Sequence, residues 1–259
     1  QLDIIQNYGL KIIFEMYGQI DFAKWGKFTD FDGINGLDEA TTAAVNAIKG
    51  HPALLGWYIS DENPLVELPA VRKLRDIISS NDPDHPVLTL TNSEQNSLYF
   101  GPTGDIIMAD NYPIRDEKTQ SMSAVRDLIE IQRKKTGLGV WLVPQMFHWR
   151  VYRKGQFRFP TAEEMRSMVL LGVNLGCKGF IFYAYHNPEH ERICPGAIQT
   201  FWPEVASAAR LLRKLEPFIL SQEKAPTITV TSKGKSLVEA KAFLHQGKMT
   251  VVITSDGPG

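Results

Sequence analysis

The chain has 259 residues, 43% hydrophobic and 22% charged, the balance of a globular protein able to bury a sizeable core. Its 28 basic residues nearly cancel its 29 acidic ones, so a net charge of −1 gives no field to draw in nucleic acid or an anionic membrane, and a neutral partner is expected. The longest apolar runs, such as Gly179 to Ala184, fall short of the roughly 20 residues of a membrane-spanning helix, so no membrane span is expected. The opening Gln1-Leu2-Asp3 has neither the basic nor the apolar region of a signal peptide, as after processing or trimming.

After a helical start, short apolar runs alternate with segments of helical period, the pattern of a parallel α/β architecture. The first strand is expected at Lys11 to Met16 and the second at Leu54 to Ser60, followed by a helix whose apolar stripe is Val71, Leu74, Ile77 and Ile78. Strands follow at Val87 to Thr91 and Asp105 to Ala109. A second striped helix carries Met122, Val125, Leu128 and Ile129, and a fifth strand runs from Gly139 to Pro144. Several of these strands are apolar throughout, as strands covered on both faces are. Thr161 and Glu164 stand in capping-box spacing behind Pro160 and mark the start of a helix through Met165. A sixth strand at Gly179 to Ala184 leads to a helix bearing Val205, Ala208, Leu212 and Leu215, which Pro217 is expected to end. Cys177 and Cys194 flank that strand about 20 Å apart, too far for a disulfide unless the following loop folds back.

Beyond about Gln222 the texture changes. Thr227 to Val230, Leu237 to Phe243 and Met249 to Thr254, separated by Gly234 and Gly247, predict a small β-meander. The expected organisation is therefore an α/β body over residues 1–222 and a β-rich segment over 223–259. A closed barrel of parallel strands and helices has eight strands. Six imply a barrel whose first two strands lie outside this chain, an open sheet, or an undetected strand.

In parallel α/β folds the working face lies at the carboxyl ends of the strands. Those ends carry Glu15 and Tyr17, then Asp61 and Glu62, then Asn92, then Asp110 and Tyr112, then Gln145, His148 and Trp149, and last Tyr183 and Tyr185. Carboxylates, amides and aromatic rings suit a neutral polyhydroxylated ligand, because rings stack on sugar C–H faces while the polar groups bind hydroxyls. No Gly-rich phosphate motif is present. His148, His186 and His190 lack metal-site spacing, and neither a metal nor an organic cofactor is expected. Cys194 reads as an inert thiol rather than a nucleophile. The adjacent carboxylates Asp61 and Glu62 have two readings: an acid held protonated by its neighbour's charge, or an acidic cap on the helix after Pro64.

The segment His51 to Pro64, HPALLGWYISDENP, resembles the fourth-strand region of retaining glycoside hydrolases with a (β/α)8 barrel, in which a Glu at the strand's end is the acid/base. The ADNYPI stretch at Ala109 to Ile114, VWLVPQMFHW at Val140 to Trp149, and PTAEEMRSM followed by GCKGFIFYAY resemble glycoside-hydrolase-like barrels fused to β-sandwich domains. The resemblance, over roughly residues 5 to 220, implies that the six strands are the third to the eighth, that Glu62 is the acid/base with Asp61 tuning it or orienting substrate, and that the last residues begin an accessory β domain. It implies a carbohydrate substrate, with Glu15, Tyr17, Asn92, Asp110, Tyr112, Gln145, His148, Trp149, Tyr183 and Tyr185 around it. Export to the cell exterior or periplasm follows by analogy.

Two departures bear on the chemistry. The residue before the acid/base is usually Asn in that clan and here is Asp61, while the nucleophilic Glu of the seventh strand is replaced by Gln145, which cannot form a glycosyl ester. Three alternatives follow: a substrate-assisted route of the N-acetylhexosaminidase kind using the Asp61–Glu62 pair, an inverting route with Glu62 as acid and Asp110 as base, and a barrel that binds glycan without cutting it.

Overall fold

A computed structural model describes residues 1–19, 30–31, 33–115, 121–155, 157–185, 192, 195–231 and 238–255. In chain order its elements are α1 (Leu2–Asn7), β1 (Ile12–Glu15), β2 (Asp30–Phe31), β3 (Ile34–Asn35), α2 (Leu37–Ile48), β4 (Leu54–Asp61), α3 (Leu68–Asn81), β5 (Val87–Leu90) and α4 (Glu94–Phe100). They continue with β6 (Ile106–Ala109), α5 (Ser123–Thr136), β7 (Gly139–Leu142), α6 (Ala162–Asn174), α7 (Ala197–Ile219), β8 (Val238–His245) and β9 (Lys248–Ser255). The order β1-β4-β5-β6-β7 makes a parallel five-stranded sheet; β2 pairs with β3 and β8 with β9 as small antiparallel ribbons. The chain divides into two compact units, residues 1–108 with 132–139, and residues 109–131 with 140–259.

In the first unit β4 lies between β1 and β5. Leu54, Trp57 and Ile59 are buried together with Val71, Leu74 and Ile78 of α3 and Val45 and Ile48 of α2, so the predicted 3.6-residue stripe of α3 becomes the inner face of a helical layer. Gln132 of α5 is fully buried and its amide donates to the carbonyls of Thr91 (2.8 Å) and Met108 (3.2 Å), tying together the carboxyl ends of β5 and β6. Trp57, the largest core side chain, donates its indole N–H to Asp82 at 2.8 Å, just past the end of α3. Asp82 also receives His85 Nδ1 at 2.9 Å and the Asp84 N–H at 3.3 Å.

In the second unit the capping box at the start of α6 forms as expected: Thr161 Oγ1 accepts from the Glu164 N–H and Glu164 accepts from the Thr161 N–H. Three expectations are corrected here. The sixth strand, Gly179 to Ala184, is reduced to two isolated parallel bridges, Leu142 with Phe180 and Gln145 with Tyr183. The Leu142 N–H donates to Gly179 O, Ile181 and Tyr183 donate to the carbonyls of Leu142 and Pro144, and Met146 donates to Tyr183 O. The rung between them would need an N–H at residue 144, and Pro144 has none.

The last long helix passes through Pro203 and Pro217 to Ile219. Burial of Ile219, with Phe218, against Val173 of α6 and Phe243 and Val252 of the ribbon holds its final turn beyond Pro217. Of the three strands predicted after Gln222, the latter two form the β8–β9 hairpin. Its two-residue turn, Gln246 and Gly247, has φ of 50° and 73°, the type I′ geometry that matches strand twist. Thr227 to Val230 stays irregular and largely exposed, and no strand among the described residues pairs with it.

Burial acts against the Asp82 carboxylate, but the hydrogen bonds from His85, Trp57 and the Asp84 N–H outweigh it and hold its pKa below the usual 3.8. A depressed carboxyl stabilises the fold above its unfolded pKa, and that contribution is lost as pH falls through the folded value. Trp57→Phe is therefore expected to cost about 1–3 kcal/mol in urea unfolding at pH 7. The gap to the native chain should narrow as acid protonates Asp82; an equal gap at all pH values would refute the pairing.

Candidate functional site

Each unit carries one cluster of the strand-end residues. In the first, β4 ends in a turn built on Asn63, which is 4% exposed. Asn63 Oδ1 accepts from Ser60 Oγ (2.8 Å) and from the Asp61 N–H (2.9 Å), while its Nδ2 donates to Glu67 at 2.6 Å. The Glu62 N–H donates to Leu90 O at 3.1 Å, which extends the β4–β5 ladder by one rung. Between these restraints Glu62 takes a φ of 50°. A side chain in this left-handed region costs roughly 1–2 kcal/mol, and such strain persists where surrounding bonds over-determine it, commonly at functional sites.

The turn leaves the Glu62 carboxylate exposed, with Asn92 Nδ2 donating to its Oε1 at 2.5 Å. Two strand-end residues far apart in sequence are thereby brought together. The helix-cap reading of Asp61 and Glu62 is overturned: α3 begins at Leu68 with Glu67 at its N-cap, after a 3₁₀ turn at Leu65–Glu67.

Glu15 joins this cluster from β1, where it is the register partner of Tyr58. Desolvation, and then the negative charge of Asp61, push its carboxyl above the ordinary 4.5, against a hydrogen bond from Tyr17. The ring of Tyr17 meets Tyr58 edge-to-face at 5.2 Å. Sequence adjacency suggested that Asp61 acts on Glu62; strand pairing sets it against Glu15.

The second cluster is aromatic. Tyr112 and Tyr183 stack at 5.7 Å and 19°, Phe147 meets both edge-on, and the Tyr152 and Tyr183 hydroxyls hydrogen-bond at 3.0 Å. Trp149 lies 5.3 Å from Phe147 and 6.3 Å from Tyr112, and the guanidinium groups of Arg115 and Arg153 lie over its ring at 5.2 and 5.0 Å. Sequence reasoning missed Tyr152, Arg115 and Arg153, because none stands at a strand end and no motif singles them out.

Gln145 is fully buried, accepts from the Ile114 N–H at 2.9 Å and donates to the carbonyls of Ile114 (2.6 Å) and Phe147 (3.0 Å). Its amide thus clips the segment bearing Tyr112 to the one bearing Phe147. Asp110, at the end of β6, is 4% exposed. His148 is buried edge-on to Phe159 at 4.6 Å, and burial, then the charge of Arg150, lowers its pKa below 6.5. It is therefore neutral at pH 7. Tyr185 is 59% exposed and meets Trp202 instead of the cluster.

His186, His190 and Cys194 lie outside the described residues. Among those described, no group of three or more His, Cys, Asp or Glu could hold a metal ion, and no helix is long and apolar enough to cross a membrane. A cavity of about 370 Å³ under the β8–β9 ribbon, lined by Phe218, Pro226, Ile228, Ala242 and Phe243 among others, borders none of the candidate residues.

In fold the chain is similar to a β-galactosidase from the psychrophilic Marinomonas ef1, with TM-score 0.52 and 10% identity over 71% of this chain and 45% of that one. It is equally similar to a candidate α-L-fucosidase from Bacteroides thetaiotaomicron, with TM-score 0.52 and 11% identity over 83% of this chain and 70% of that one. The chain thus spans less than half the length of the β-galactosidase. No protein-family model matches it, and no curated protein matches it by sequence. The likeness establishes a glycosidase-like α/β fold and, at such identities, the fold alone.

A carboxyl whose pKa is raised by folding stabilises the native state below its unfolded pKa, and that contribution is lost as pH rises through the folded value. Stability of the native chain should accordingly fall as pH rises from about 4.5 upward through the Glu15 titration. Glu15→Gln is expected to flatten that part of the profile in urea unfolding. A profile unchanged by the substitution would refute the raised Glu15 pKa.

Proposed function

We propose that the protein acts on carbohydrate and hydrolyses glycosidic bonds, with Glu62 as general acid/base. The observation that carries this reading is the turn after β4, which spends backbone strain to present an exposed carboxylate to the Asn92 amide. Glu62 in its acid form would donate its proton to the glycosidic oxygen as the C–O bond breaks and the substrate's own 2-acetamido oxygen bonds to the anomeric carbon, and its carboxylate would then take a proton from the water that attacks that carbon and displaces the acetamido oxygen. Asp61, beside it in sequence, would orient a substrate group, such as the 2-acetamido group of the substrate-assisted route, which requires no Glu at position 145. Residues 1–222 would form the barrel-type body and 223–259 the start of an accessory β domain.

One observation favours a second reading, a carbohydrate-binding barrel without turnover. At the position of the seventh-strand nucleophile the Gln145 amide is sequestered and engaged with main chain. In that case Tyr112 and Tyr183 would supply a stacking surface for sugar rings.

Chromophore release from a panel of α- and β-linked glycosides, N-acetylhexosaminides included, separates the two. The native chain is expected to release product from at least one member. Glu62→Gln should lower kcat by about 10²–10⁴-fold, the usual contribution of general acid–base catalysis, with binding retained. A folded native chain silent across the whole panel would exclude the hydrolase and leave the binding barrel.

A further inference from the structure

Two arginines share one indole in the second unit, Arg115 and Arg153 over Trp149 at 5.2 and 5.0 Å. Both are exposed, and among the described residues neither is ion-paired. A guanidinium lying on an aromatic face uses its π surface there and keeps its in-plane N–H donors, a rigid fork that fits carboxylate or sulfate oxygens. Attraction to the ring restrains the side chain, so less rotamer freedom remains to be lost on binding.

The supports are themselves fixed. Trp149 packs between Phe147 and Tyr152, at 5.3 and 6.4 Å, and Arg115 O accepts from the Arg158 N–H at 3.3 Å. The indole N–H of Trp149 is shielded from solvent, with no acceptor among the described residues, so the ring meets its surroundings through its faces and edges. With two cations over its ring, Trp149 is a platform for both.

We propose that this cluster binds the oxyanion of an acidic saccharide, a uronate carboxylate or a sulfate ester, with Arg115 and Arg153 as specificity-determining residues and Trp149 as the residue that positions them. The proposal rests on the carbohydrate reading above and narrows its ligand class. Overall charge does not oppose it, since the two guanidiniums act at contact distance, where a net charge of −1 spread over the chain has little effect.

The test is a glycan array of matched neutral, uronate-containing and sulfated sequences, probed with the tagged native chain and with Arg115→Gln/Arg153→Gln. Native signal is expected on acidic glycans at least about tenfold above their neutral counterparts, the scale of one charge-assisted hydrogen bond. It should weaken in high salt and disappear in the double variant; whether uronates or sulfated sequences respond identifies the oxyanion. Should the double variant melt at lower temperature, Arg115→Lys/Arg153→Lys, which keeps the charge and loses the fork, is expected to retain only part of the preference. Neutral and acidic glycans bound alike by native chain and variant would overturn the anionic assignment and leave the carbohydrate reading intact. A folded native chain that binds no glycan would overturn both.

Discussion

The Asn63 side chain is the constraint on which the first unit's chemistry depends. One amide accepts from the hydroxyl and main chain of the two residues that close β4 and donates to Glu67, the residue just before α3. Held at both ends, the backbone has no relaxed path between strand and helix, and Glu62 absorbs the difference as a left-handed residue. Pro64 reinforces this, since a residue before proline is excluded from the α region and the helix cannot start early. A carboxylate borne on such a turn is held in place, and general acid–base chemistry needs its group at a fixed position against the reacting atoms.

The electrostatics of the cluster follow from strand register more than from sequence neighbours. Successive residues leaving a strand point to opposite sides, so Asp61 and Glu62, though adjacent, need not face one another. Glu15 leaves β1 beside β4, the strand that ends in Asp61. Burial and then the charge of Asp61 raise the Glu15 carboxyl, while Glu62 accepts from Asn92. Strand ends were legible in the sequence because apolar runs stop abruptly at polar residues; which of those residues meet is a property of register, and register is not written in any one segment.

The same division runs through the fold. Five of the expected strands and the striped face of α3 appear close to where hydrophobic period places them, because burial against a sheet is what that period encodes. The misreadings concern backbone hydrogen bonds. Pro144 deletes one rung of a ladder whose side-chain pattern still looks like a strand, Pro217 is carried by the burial of the residues after it, and Thr227 to Val230 has strand composition but no pairing strand among the described residues. Propensity describes a segment, whereas a ladder or a final helical turn belongs to two.

Gln145 and Trp149 show why side-chain roles at a strand end resist reading from chemistry alone. An amide and an indole at the end of a glycosidase-like strand suggest hydrogen bonds and stacking for a sugar. Here the amide makes three bonds to main chain and the indole carries two guanidiniums. Neither residue is idle. The amide fixes the spacing of the loops that bear Tyr112 and Phe147, and the indole converts two flexible cations into oriented ones, at an attraction of about 0.5–1 kcal/mol each where solvent is near. Polar groups spent on the protein's own architecture set the positions from which other groups act, and the arginines that inherit the exposed role come from loop positions that the strand-end rule does not reach.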